Sequence, residues 1–463
     1  MGFKAVIVGG GVGGLALANM LEQLEVEYVL LEAYGDFSPQ AGASIGMLPN
    51  GLRILEQLGC RSGFSEGVDN FSDALVQRFA GGIEFNDRQV LLRALHANIK
   101  DKKRLLLGKK VIKVTTGEKS AVVETQDGDR YEGDVVIGLD GIWSTVRSEM
   151  RREAAEKSPG YFPDDEWKRV PIHCKCMFGI SRPNKAIQPG TMTQVINRGF
   201  LYLVLGGPGG RVFFFLSEKL PKTLYGPETP RYSKEESVAF AEAHRQDVII
   251  DDCTFGDIWD NVIAYSVTPL HEYAFDQWHY GRIITLGDAA HKRSLTAEHL
   301  PTYLTQVDPV AGQGGNAALE SVAAFTNALM KRLDRLPADD PSAALPLADI
   351  EAILRETQAT RHERARRIVR VSHEMQDAFA KTSWLGMQLT HLAPWIIDKE
   401  SLLEKWAVNV TEAVKVERLP DRSLPHVVPF TTDLPAKPIS PSSGLVKLER
   451  GLVGAALAAL CWL

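Results

Sequence analysis

Gly9-Gly10-Gly11-Val12-Gly13-Gly14 follows a short apolar run, residues 3 to 8, and opens a helix-like run from Gly14 to Leu24. Glycines in that order suit a pyrophosphate. Gly9 permits a tight turn, Gly11 lets the backbone approach the phosphates, and Gly14 lets the helix pack on the strand. The helix N-terminus adds free N–H groups and the positive end of a dipole. Glu32 closes a second apolar segment, Glu27 to Glu32, 18 residues after Gly14. A carboxylate there accepts hydrogen bonds from ribose hydroxyls and repels a 2′-phosphate.

Four further groupings carry polar residues at element ends. Asp87-Arg88 starts a helical pattern, and Arg88 reads either as an arm reaching a cofactor or as a solvated terminal charge. Gly138-Leu139-Asp140-Gly141 ends an apolar strand and is followed by Ser144 and Arg147. Gly287-Asp288-Ala289-Ala290-His291 ends another, where an aspartate can bond a second ribose or a ribityl chain. His291 within it reads as structural rather than as an acid or base. Gly312-Gln313-Gly314-Gly315-Asn316 precedes a helix whose N-terminal dipole favours negative charge on a flat ring laid against it.

The elements that must position these groups alternate at first. Strand, glycine turn, helix and strand within about 30 residues make a βαβ unit. Arg88 to Leu107 is helical in pattern, and Lys110 to Val114, Ala121 to Thr125 and Asp134 to Ile137 read as strands. The middle is β-rich: Pro171 to Ser181, Thr191 to Val204 and Arg211 to Ser217, with a hairpin turn at Gly206 to Gly210. From Trp278 the first architecture returns, followed by helices from Ala317 to Leu333 and Ile350 to Lys381. The fold class is therefore α/β: a Rossmann-like domain interrupted by a β-rich domain, plus C-terminal helices. The expected divisions are 1–165 and 279–340 for the dinucleotide domain, 166–278 for the β-rich domain, 341–450 for helices and an extended segment, and 451–463 for an apolar tail.

The 463 residues carry 52 Lys+Arg against 58 Asp+Glu, a net charge of −6, which gives no reason to expect nucleic acid as a partner. Five cysteines, Cys60, Cys174, Cys176, Cys253 and Cys461, lack the His/Cys spacing of a zinc site, so no metal is expected and the thiols read as structural. An odd number of cysteines in a long chain suits a reducing, intracellular compartment. The first apolar run is too short for a signal-peptide core. Gly451 to Leu463 has no charge but is shorter than the about 20 residues a span needs. It reads either as a tail docked on the protein or as an anchor at a membrane surface, such as the endoplasmic reticulum face.

Taken together, one glycine loop, one acidic residue, GDAAH and GQGGN resemble the group A flavoprotein monooxygenases, which have the para-hydroxybenzoate hydroxylase fold. The likeness covers about residues 3 to 380, with GLDGIWSTVR in the family's DG position. EAYGDFSPQAGASIGMLPNGLRILEQLG, NDRQVLLRAL and HYGRIITLGDAAHK are most similar to fungal enzymes that epoxidise prenyl chains in indole-diterpene and meroterpenoid synthesis. The resemblance implies FAD and NADPH as cofactors, O₂ and a hydrophobic small molecule as substrates, and oxygen transfer from a C4a-hydroperoxide. An alkene would be epoxidised; aromatic hydroxylation of a phenol is the alternative. By motif, Gly9, Gly11, Gly14, Glu32, Gly46, Arg88, Asp140, Asp288, Gly312 and Gly315 would hold the cofactor. A plain NAD-linked dehydrogenase is disfavoured by GD with GQGGN.

Four departures from that pattern stand out. Leu139 replaces a small residue, and the stretch from Cys60 to Arg88 is short. Ile196 occupies the place of a catalytic tyrosine that some members carry, leaving Tyr202 and Arg198 as the nearby candidates. Finally, Arg293 to Gln306 intervenes between GDAAHK and GQGGN. That segment is either a natural loop insertion or a mis-spliced exon boundary, and if it disables the site the chain would be a flavin-binding protein without oxygenase activity.

Overall fold

The computed structural model describes residues 2–40, 44–66, 68, 83–292, 313–336, 345–380, 410–421 and 429–434. Gly312, the segment 293–306 and the tail 451–463 lie outside these residues.

Apolar β-branched runs become the central strands of a six-stranded sheet. Its order is His279–Tyr280, Ile283–Thr285, Val135–Gly138, Lys4–Val8, Glu27–Leu31 and Leu105–Leu106. All neighbouring pairs are parallel except the first, His279–Tyr280 against Ile283–Thr285. Strands buried on both faces need continuous apolar sequence, and Ala5 to Val8 and Val135 to Ile137 supply it. Ile283–Thr285 comes late in the chain yet lies beside Val135–Gly138, with Ile284 opposite Ile137. The chain thus leaves this sheet and returns to it.

Between departure and return it forms a five-stranded antiparallel sheet, ordered Met192–Asn197, Phe200–Gly206, Val212–Tyr225, Pro171–Ser181 and Val262–His271. Two expectations need correction here and nearby. The run Thr191 to Val204 is two strands, because Gly199 at φ +88° turns the chain back after Asn197. The helix begun by Arg88 stops at Asn98 rather than Leu107. Ile99 takes an extended conformation, Asp101 accepts from the Lys103 N–H, and Leu105–Leu106 pair with Leu30 and Leu31 as an edge strand.

Helices Val12–Gln23 and Gln313–Leu333 share the main core, where Leu15, Leu17 and Met20 meet Leu319, Val322 and Phe325. A second apolar cluster joins the five-stranded sheet to the segments around Leu48 and Phe85. Leu203, Leu205, Phe213 and Phe215 of the five-stranded sheet meet Leu48, Ile83 and Phe85, with Phe430 from the C-terminal segment. Cys174 and Cys176 both enter this cluster, as residues two apart on one strand should. No helix among the described residues is long and apolar enough to cross a membrane.

Candidate active site

The glycine loop lies at the C-terminal end of Lys4–Val8. Gly9 has φ +107°, and a Cβ added there would lie 2.4 Å from the Leu139 carbonyl oxygen. A Cβ on Gly14 would lie 1.8 Å from the Gly9 carbonyl oxygen, so any side chain displaces the turn. Gly11 caps helix Val12–Gln23 without a side-chain hydrogen bond, and no acidic residue occupies the first turn. The helix therefore keeps uncapped N–H donors for an anion.

Three charged residues distant in sequence converge on this loop. Glu32, 9% exposed, accepts from the Gly10 N–H at 2.6 Å and from the Tyr34 N–H at 2.8 Å. Arg88 begins helix Arg88–Asn98, whose N-cap Asp87 accepts from the Gln89 N–H at 2.9 Å. Its Nη2 lies 3.8 Å from where a Cβ on Gly11 would be. Burial lowers the Arg88 pKa, while Asp288, Glu32 and Asp87 act to raise it. Asp288 is the third member. Burial alone would raise its carboxyl, but Lys292, paired at 2.8 Å, with His291 and Arg88, brings it below the ordinary aspartate value.

Gly287 at φ +60° turns the chain into Asp288, whose carbonyl accepts from the Tyr273 hydroxyl. A Cβ on Gly314 would lie 4.0 Å from Asp288 Oδ1, so the start of helix Gln313–Leu333 stands beside that carboxylate. Gly315 packs on Ile45, where a Cβ would come within 2.6 Å of Cδ1. Asn316 ties the ribbon Ser44–Met47 to this helix: its Nδ2 donates to the Gly46 carbonyl at 3.0 Å, and its Oδ1 accepts from the Leu48 N–H at 3.1 Å. Asp140 accepts from Ser144 Oγ at 2.5 Å and from the Val146 N–H at 3.0 Å, stapling the start of helix Thr145–Lys157. Burial raises its pKa, and those two bonds and Arg147 oppose the rise. Arg147 donates to the Ala289 carbonyl at 2.8 Å and so locks the DG turn to the GD turn.

Two relatives put this geometry in context. The FAD-dependent monooxygenase andE of Emericella variicolor is 37% identical over 79% of this chain and 77% of its own length. The FAD-dependent monooxygenase janM of Penicillium janthinellum is 34% identical over 86% of this chain and 82% of its own. The chain belongs to the FAD-dependent monooxygenases. No family model matches it. Among solved structures, Klebsiella pneumoniae HpxO complexed with FAD and uric acid is similar in fold, with a TM-score of 0.63 at 18% identity over 88% of this chain and 96% of its own. The tetracycline destructase Tet(51) matches at 0.61 and 14% identity, over 89% and 99%.

The residues of this monooxygenase fit FAD. The loop backbone has room only for glycine at Gly9 and Gly14, the helix N–H groups above it are uncapped, and a carboxylate stands at each of two strand ends. Leu139, the departure from the DG pattern, fills the space between the two motifs. Its side chain lies 2.8 Å from a Cβ on Gly13 and 3.7 Å from one on Gly287.

The two catalytic candidates of the monooxygenase do not join this group. Tyr202 is fully buried, and its hydroxyl donates to Asp247 Oδ2 at 2.8 Å. It packs with Phe214, Phe240 and Phe255, while its strand neighbours Leu203 and Leu205 take the other face, toward Phe85. Arg198 is exposed in the turn beside Gly199. His291 is buried against Trp278, with Nε2 3.1 Å from Ser321 Oγ, and burial pushes its pKa down to about 4. A cavity of about 970 Å³, lined by Tyr161, His279, Tyr280, Arg355 and His362, adjoins Gly281. Gly281 leads into the start of Ile283–Thr285, whereas the GD motif follows that strand's end, so this cavity is separate from the cofactor residues.

Sequence reasoning missed Asn316 as the tie to Gly46 and Tyr273 as the support of Asp288. Asn316 carried a signal, since it closes GQGGN. Tyr273 carried none, because its partner is a carbonyl.

Proposed function

We propose that this FAD-dependent monooxygenase uses NADPH and O₂ to epoxidise an alkene of a prenylated or terpenoid metabolite. The observation that carries the substrate class is the apolar cluster between the five-stranded sheet and the segments around Leu48 and Phe85. Phe85 packs directly on Gly46, where a Cβ would meet its ring at 2.5 Å. Leu48, Leu203, Leu205, Phe213 and Phe215, all buried, continue that cluster, and the half-buried Phe178 and Met192 border it. A prenyl chain would meet this cluster at its half-buried edge, Phe178 and Met192, at about 25 cal/mol per Å² of apolar area removed from water.

FAD, when bound, supplies the oxygen-activating redox chemistry. The chain's own part is to hold and orient. Glu32 and Arg88 bind at the dinucleotide end, and the Gly9–Gly14 loop cradles the phosphates. Asp288 and the start of helix Gln313–Leu333 fix the ribityl side, and Asn316 holds the Gly46 strand beside them. The apolar cluster excludes water from the reacting alkene. Glu32 discourages a 2′-phosphate in the first site, so NADPH would be used transiently rather than held there.

The test is incubation of purified protein with NADPH or NADH, O₂ and candidate prenylated substrates. The expected result is substrate-dependent consumption of NADPH and a product heavier by one oxygen. Oxygen insertion into phenols with none into alkenes would replace this reading by aromatic hydroxylation.

A further inference from the structure

The cavity of about 970 Å³ beside Gly281 lies apart from the cofactor residues and has the size of a small-molecule site. Part of its wall is aromatic. Tyr161 and Tyr280 meet edge to face, with ring centroids 5.1 Å apart. Their polar ends are already engaged. The Tyr161 hydroxyl donates to the His279 carbonyl at 3.1 Å, and the Tyr280 hydroxyl lies 2.9 Å from Ser158 Oγ. His362 donates from Nε2 to the Phe275 carbonyl at 3.1 Å. Gln358 accepts from the Trp278 N–H at 2.9 Å and donates to the Asp276 carbonyl at 2.9 Å.

His279 breaks this pattern. Its ring is only 8% exposed and lines the cavity, yet Nδ1 is buried with no hydrogen-bond partner among the described residues. Buried polar atoms are rarely left unpaired in a native fold. Burial, with Arg355 nearby, pushes its pKa down to about 4, so the ring is neutral at pH 7. One ring nitrogen then carries hydrogen and the other is bare. A hydroxyl can donate or accept, so it satisfies Nδ1 in either tautomer.

The charged residues around the cavity do not select an anion. Glu118 and Glu363 are exposed and Glu351 is half-buried, against the exposed cations Lys157 and Arg355. Lys157 is already paired with Glu153 at 2.5 Å. Three carboxylates facing two cations favour an uncharged guest over a phosphate or a carboxylate.

We propose that this cavity is a second ligand site, which takes an uncharged aromatic alcohol, its hydroxyl bonded to His279 Nδ1 and its rings laid against Tyr161 and Tyr280. The volume suits more than one ring. The site does not depend on the FAD reading, because it shares no residue with the glycine loop, Glu32, Arg88 or Asp288.

The test is equilibrium dialysis of the full chain at pH 7 with 2-naphthol, and with naphthalene as the same ring system without the hydroxyl. The expected result is saturable binding of 2-naphthol, tighter than naphthalene by about fivefold or more, the value of one hydrogen bond. His279→Phe keeps an aromatic ring and removes the nitrogen, so it should bring 2-naphthol down to the affinity of naphthalene. Ala359→Trp places a large side chain on the cavity wall and should abolish binding of both. Flavin content and melting temperature, read in parallel, should stay at wild-type values in Ala359→Trp. No saturable binding, equal affinity for the two probes, or binding unchanged in both variants overturns the proposal, the last because the probe would then sit elsewhere, as at the flavin. Should Ala359→Trp fail to fold, His279→Phe decides alone: an unchanged preference for 2-naphthol overturns the proposal.

Discussion

The Gly10 N–H donates to Glu32 Oε2 at 2.6 Å, so the acid at the end of one strand closes the glycine loop at the end of its neighbour. The other oxygen, Oε1, takes the Tyr34 N–H at 2.8 Å. Each oxygen keeps a lone pair for a ribose hydroxyl. Glu32→Gln should therefore weaken FAD binding roughly ten- to hundredfold, the value of about 1.5–3 kcal/mol for hydrogen bonds to a charged group. Glu32→Arg should give colourless protein. Flavin absorbance per protein reads both, and stoichiometric flavin in Glu32→Arg would refute the assignment of this loop.

Glycine's role in the loop is steric and can be tested by contrast. In Gly14→Ala the new Cβ would lie 1.8 Å from a backbone oxygen that no side-chain rotation can relieve. The loop must open, and the expected outcome is loss of flavin together with several degrees of melting temperature. Gly35→Ala is the control, since nothing lies within 4 Å of its added Cβ. It should keep both flavin and melting temperature. Equal behaviour of the two variants would show that the turn at Gly9 is not what positions the cofactor.

What was legible in the sequence follows the range of the interactions. The glycine loop, Glu32 and the return at GDAAH were readable because each joins a strand end to a turn within a few residues. Arg361 and Arg364 were visible only as part of an Arg-rich helix. Local pattern says such a helix is charged, and nothing local says that two of its arginines bury onto Glu320, some forty residues earlier. Tyr202 shows a related limit. Alternation puts it opposite Leu203, but which face meets Phe85 depends on the packing of two sheets far apart in sequence. The helix begun at Arg88 was read too long because Leu105–Leu106 is an edge strand of only 2 residues, too short for a period to register.

Tyr202→Phe separates the sequence expectation for that residue from its observed place. The hydroxyl bonds Asp247 among aromatic residues on the far face of the sheet, away from Gly46. Removing it should cost about 1 kcal/mol of stability, the net value of one such bond. Turnover and flavin content should stay within twofold of wild type. A hundredfold loss of turnover at unchanged stability would restore Tyr202 as a catalytic residue.

Acid should destabilise the protein through its buried histidines before it reaches the ionic cluster. His271, His279 and His291 are each pushed by burial from 6.5 down to about 4. Their folded values lie below the unfolded value, so their contribution is fully present above about pH 6.5. It is lost as pH falls from there towards 4, because the unfolded chain binds those protons first. Each shift corresponds to about 3 kcal/mol at most. The carboxylates of Glu320 and Asp421, held at about 2 by their arginines, begin to lose their contribution only near their unfolded values of 4.5 and 3.8, so a loss that starts at about pH 6 belongs to the histidines. His279 is the residue to change, since it lines the cavity beside Gly281 rather than the cofactor loop. Denaturant unfolding of wild type and His279→Gln between pH 7 and pH 4.5 should show the variant losing less stability on acidification, by up to about 3 kcal/mol. Parallel curves for the two proteins would mean that His279 is protonated as readily in the folded chain as in the unfolded one, and that its burial does not hold it neutral.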